Sequence, residues 1–180
     1  MIKNSCKCKE NIPKFAENDI KCYKVIRRDH NGQAKALYID KFYNSNIKEG
    51  DIIYAPQEAV YSNWFERHIL RKPIIKGYIE EGIEWNSENN WYDITFGFLH
   101  STPNEIFPKE IEHYIEWFTP KCEIELWECV IPKGTKYYQA DCRGSHFESS
   151  NSYASKYLKF VKLIHKKTLD TEKCGGCHIY

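Results

Sequence analysis

Long hydrophobic runs are missing from this sequence. No segment approaches the roughly 20 apolar residues of a membrane span. The first residues, Met1 to Phe15, hold no apolar block of the kind that directs export, so the chain is expected in the cytoplasm, with no membrane partner. Charge of one sign is also missing. Lys+Arg is 26 against Asp+Glu of 25, a net charge of +1, which excludes charge-driven nucleic-acid binding as the main design. There is no phosphate-binding P-loop, Gly-rich dinucleotide turn, H-E-x-x-H or nucleophile elbow, so common cofactor chemistry has no footing. Cysteine, at 8 in 180 residues, is too sparse for a disulfide scaffold. What is present is 42% hydrophobic and 15% aromatic residues, enough to build a core within one domain.

Along the chain, polar residues 1–19 read as a cysteine-bearing arm, 20–165 as a single domain, and 166–180 as a tail. Ile20–Arg28 is β-prone, and Asn31-Gly32 is a strong hairpin signal leading to a returning strand over 34–43. Tyr61, Trp64, Phe65, His68 and Ile69 recur at helical spacing between Pro56 and Pro73, predicting a helix over 57–71. Phe107, Ile111, Tyr114, Ile115 and Phe118 predict a second over 107–118. Residues 91–100 read as one buried strand. Residues 122–131 read as a strand whose alternation slips at Trp127, predicting a bulge there. Residues 141–152 read as a loop, and 153–165 as a strand alternating over Leu158, Phe160 and Ile164. The expected fold is α+β: a mostly antiparallel sheet of about six to eight strands with two helices.

The cysteines divide into two classes. Cys22, Cys122, Cys129 and Cys142 are isolated, and Cys122 and Cys129 sit in strand-like surroundings that suit a small buried hydrophobe. Cys6 and Cys8 form a C-x-C near one end, and Cys174 and Cys177 a C-x₂-C near the other. Gly175 and Gly176 allow the tight turn that brings two sulfurs to one ion, so these four cysteines are the candidate ligands of a structural Zn²⁺ tying the termini together. His178 could replace one thiolate; free thiols or a disulfide are the alternatives. Cys174–His178 matches the haem-attachment pattern, but that chemistry needs an exported chain.

Four aromatic residues are candidates for binding. Tyr137 and Tyr138 follow a Pro-Lys-Gly-Thr turn and point to opposite faces of the next strand, so one can pack inward and the other can bind. Trp85 and Trp91 flank a polar turn and could form an aromatic platform, or pack in the core. His100 is adjacent to Ser101 on a strand and cannot serve it as a base, because neighbouring side chains diverge. Cys142 and His146 have the spacing of half a metal site in a polar loop.

The run Gly97-Phe98-Leu99-His100-Ser101, then Ile131-Pro132-Lys133-Gly134-Thr135-Lys136-Tyr137-Tyr138, then Tyr153-Ala154-Ser155-Lys156 resembles small uncharacterised proteins of phages and gut bacteria over about residues 20–165. That resemblance implies a phage or mobile-element origin and attaches no activity. The order of elements also looks distantly like ADP-ribosyltransferase domains. In that likeness Arg27 or Arg28 stands for the first motif and Ser101-Thr102 for the second, while Glu148 is a poor match for the third, where a Glu stabilises the developing oxocarbenium ion. The expected function is therefore a non-catalytic binding or regulatory protein with a protein or small ligand as target; the alternative is a divergent or degenerate ADP-ribosyltransferase-like enzyme.

Overall fold

The computed structural model describes residues 13–28, 31–36, 47–55, 67–70, 80–88, 91–94, 97–105, 123–143 and 150–168. Within them the chain is all-β, with twelve strands in two antiparallel sheets and no helix, which corrects the α+β expectation with two helices. The described part of the first expected helix is a strand, Arg67–Leu70, hydrogen-bonded between two others. Pairing on both sides outweighs the local 3.6-residue pattern there. Residues 107–118 lie outside the described residues. None of the described elements is a helix long and apolar enough to cross a membrane.

The five-stranded sheet is built on the two nine-residue strands β2 (Ile20–Arg28) and β9 (Glu123–Ile131). They pair without interruption from Ile20↔Ile131 to Arg28↔Glu123. Beside them run β3 (Ala34–Ala36), β12 (Tyr157–Thr168) and β4 (Ile52–Tyr54), in the order β3-β2-β9-β12-β4. β9 is buried on both faces from Ile124 to Trp127, which is why its sequence fails to alternate. The bulge expected at Trp127 is displaced: β2 and β9 stay in register, and the shifts fall on β12, flanking Leu163, the residue opposite Trp127.

The second sheet has β6 (Ile83–Asn86), β7 (Trp91–Ile94), β5 (Arg67–Leu70), β10 (Lys136–Arg143), β11 (Ser150–Ser155) and β8 (Leu99–Ser101) in that order, with the short β1 (Lys14–Phe15) on β10. Three sequence expectations change here. The stretch 91–100 is two strands, β7 and β8, separated by Gly97 at φ 76°, a left-handed conformation that glycine adopts freely. The loop expected at 141–152 is partly strand, because β10 runs to Arg143 and β11 begins at Ser150. The single strand expected at 153–165 breaks at Lys156, where the chain leaves one sheet and enters the other. Strands that switch sheets at such a bend form the corners of packed β-layers.

The Pro-Lys-Gly-Thr turn makes another crossing, from β9 to β10. Thr135 N–H donates to Pro132 O at 3.0 Å, and Gly134 takes φ 82°. This is a turn of the kind that demands glycine at its third position. It also holds the N-terminal segment: Gly134 N–H donates to Ala16 O, Ala16 N–H to Thr135 O, and Lys133 N–H to Asp19 Oδ1.

Candidate functional site

The four candidate zinc ligands, Cys6, Cys8, Cys174 and Cys177, lie outside the described residues, as do Glu148, His146 and Cys122. Among the described residues no group of three or more His, Cys, Asp or Glu side chains could hold a metal. Cys22 and Cys129 are free thiols, directly opposite each other in β2 and β9, and both are fully buried. Burial pushes the Cys22 thiol up to about 11, partly offset by Ser101 and Lys24, and pushes Cys129 higher still.

Tyr137 and Tyr138 do point to opposite faces. Tyr137 packs edge-to-face on Tyr153 at 5.8 Å, beside the inter-sheet core. Tyr138 is fully buried in a second cluster against Phe98 at 5.7 Å, and its hydroxyl donates to Glu80 Oε1 at 3.3 Å. Burial, then Glu80, raises the Tyr138 phenol well above its ordinary range. Glu80 also meets Lys136 (2.8 Å) and Lys156 (3.4 Å), and Lys156 Nζ sits 4.0 Å from the Phe98 ring centroid. Both tyrosines are thus occupied by packing. Trp85 is half exposed and meets Tyr92 edge-on at 4.9 Å. Trp91 pairs with Asn86, so the two tryptophans occupy neighbouring rungs of the β6–β7 hairpin.

Of the transferase likeness, Glu148 lies outside the described residues, and Arg28 and Ser101-Thr102 stand apart. Arg28 donates through Nε to Glu125 Oε1 (2.7 Å) and through its two terminal nitrogens to Gly32 O and Ile47 O. Glu125, 3% exposed, accepts the Trp127 indole N–H on its other oxygen. Ser101 is buried on β8, and Thr102 bridges to Tyr23 of β2. Five residues of strand separate Tyr23 from Arg28, roughly 16 Å. In this arrangement Arg28 organises the core around a buried carboxylate.

The outer face of the five-stranded sheet is different. β4 lies at its edge, paired through Tyr54↔Tyr157, Ile53↔Leu158 and Ile52↔Lys159. Leu158, Ile53 and Phe160 point inward and are buried. The alternate residues point outward: Tyr54 is 69% exposed, Ile52 is 45% exposed, and Tyr54 leans on Tyr157 at 5.4 Å. Val161, Lys159 and Lys162 continue this exposed surface along β12. On β9 and β2 behind them, Glu128 is held by Lys21 at 2.7 Å, and that contact raises the Lys21 pKa. An exposed aromatic–aliphatic patch at a sheet edge, edged by lysines, is the surface these residues make available for recognition.

Sequence reasoning missed this patch. Its signal was the polar half of the alternation over 157–160: with Leu158 and Phe160 inward, Tyr157 and Lys159 had to face out. Compared with protein-family models, with curated proteins and with solved structures, the chain matches none.

Proposed function

We propose that this is a binding protein, and that its target, a protein or a small ligand, is met on the outer face of the five-stranded sheet at β4 and β12. The observation that carries the reading is the exposure of Tyr54 and Ile52 side by side on an edge strand. Large apolar side chains left uncovered at a sheet edge invite association, and proteins without such a partner usually place charge or proline there. Tyr54 already leans on Tyr157, so an incoming group meets a braced aromatic surface.

The test is affinity capture from host extract with the native chain and with Tyr54→Ser, Ile52→Ser side by side. A protein or metabolite retained by the native chain and lost from the variant supports the reading. Identical captured sets overturn it, and so does release of free nicotinamide from NAD by the purified chain.

A further inference from the structure

We propose that the side of β4 that pairs with no strand among the described residues takes up an extended, acidic peptide segment as an added strand of the five-stranded sheet. This rests on the outer face being the binding surface, and it names the partner and how it docks.

The backbone geometry of β4 carries the inference. Gly50 N–H donates to Phe160 O (2.7 Å), Phe160 N–H to Asp51 O (2.8 Å), and Ala55 N–H to Lys156 O (2.9 Å). The Asp51 C=O and the Ala55 N–H therefore face β12, as do the backbone groups of Ile53 between them, while the Asp51 N–H closes the preceding turn on Lys48 O. In an antiparallel ladder the intervening residues direct theirs the opposite way. Ile52 and Tyr54 thus present N–H and C=O outward, and among the described residues β4 is paired with β12 alone. A peptide in extended conformation satisfies these groups, while its alternate side chains meet Ile52 and Tyr54.

Charge selects the partner. On the outer face, Lys159 stands opposite Ile52, and Lys162 stands opposite Glu128, whose carboxylate is already taken by Lys21. Asp51 lies on the other face of β4, and its carboxylate accepts the Lys48 amide. Among the described residues of the preceding turn, Glu49 is the other acid. An added strand lies two strand spacings from β12, about 10 Å, a gap that a lysine and a glutamate side chain close when they reach toward each other.

Two blocked peptides of about nine residues, a usual strand length, test this. One alternates glutamate with valine around a central tyrosine; the other replaces each glutamate with lysine. Both are titrated into the full chain while its amide resonances are followed. The acidic peptide is expected to bind with a Kd below about 1 mM. Shifts should concentrate at residues 52–54 and 157–162, and affinity should fall as salt screens the lysines. Ile52→Pro removes an outward N–H without touching a β12 bond and should weaken binding at least about tenfold. The double reversal Lys159→Glu, Lys162→Glu should weaken it between about twofold and thirtyfold. Should Ile52→Pro fail to fold, the lysine reversal carries the test alone. No binding at about 1 mM, equal binding of the lysine peptide, or undiminished binding by the folded Ile52→Pro chain overturns the proposal. So does a single-stranded oligonucleotide bound at the same residues, or self-association through β4. If the acidic peptide fails while Tyr54→Ser, Ile52→Ser still loses the captured partner, strand addition is wrong and the surface stands. If that variant captures what the native chain captures, the surface itself is wrong.

Discussion

The strands β10 and β11 serve two hydrophobic clusters of unlike construction. Through Tyr137 and Tyr153 they face the space between the sheets, where Ile26, Trp127, Cys129, Ile131, Leu158 and Phe160 form a large core. Through Tyr138 and Ala154 they face the other way, onto a small cluster with Ile83, Ile94 and Phe98. The large core encloses a charged network, Arg28–Glu125–Trp127, with little access to water. The small cluster keeps its charge at the rim, where Glu80 clips Lys136, Lys156 and the Tyr138 hydroxyl together. The difference teaches that burial of charge, more than the count of apolar residues, separates the two regions. In one, a lost partner strands an ion inside; in the other, water replaces it.

The largest expected effect comes from the apolar part of that contrast. Phe160→Ala, which removes the ring packed 5.5 Å from Trp127, should cost about 3–5 kcal/mol in urea unfolding. Phe98→Ala should fall at or below the lower end of that range, because its shallow cluster can collapse. Equal losses would erase the distinction between the clusters.

Next, Glu125→Ala should cost about 3 kcal/mol, since it leaves Arg28 without its carboxylate and the Trp127 indole N–H without its acceptor. Glu80→Ala, at the rim, should cost under about 1 kcal/mol. If the two variants unfold at the same denaturant concentration, the assignment of buried against solvated charge is wrong.

Alkali sharpens the comparison from the thiol side. Cys22 is held protonated to about 11 when folded, against an ordinary thiol near 8.5 when unfolded. Its contribution to stability is complete below about pH 8.5 and is lost as pH rises to about 11, a loss on the order of 3 kcal/mol. Cys22→Ala should flatten that part of the curve. An unchanged slope would show that the pair with Cys129 is not sealed from water.

The smallest effect is acidic. Burial pushes Glu80 upward, but Lys136 and Lys156 together outweigh it and hold the carboxyl below its ordinary value. A depressed carboxyl contributes stability above its unfolded pKa, and that contribution disappears as pH falls through the folded value. The gap between the native chain and Glu80→Gln should therefore be widest near neutrality and close below about pH 4. A gap that persists in acid would place the effect in packing.

What the sequence disclosed was mostly local chemistry. The Pro132–Thr135 turn was readable because glycine is needed at Gly134, and the strand ranges of β2 and β9 were readable from β-prone residues. Cys129 sits buried as its surroundings implied. The failures arose where a distant partner decides. Arg67–Leu70 carries the tail of a helical stripe, yet it is gripped by β7 and β10. The break at Lys156 has no glycine or proline to announce it and exists because Tyr157 must meet Tyr54. The candidate patch was hidden for a related reason: Tyr54 and Tyr157 are about a hundred positions apart, and no local pattern reports that they touch.

The long registers of the five-stranded sheet have a consequence during synthesis. Arg28 finds its carboxylate 97 positions downstream, and most of β2 waits with it for β9. At a translation rate of about 5–20 residues per second, the interval is roughly 5–20 s, far longer than the microseconds in which an isolated hairpin forms. Throughout that interval Cys22 and Val25, which lie beyond the reach of β3, have no mate in the sheet, and the nascent strand is a candidate client for a ribosome-associated chaperone.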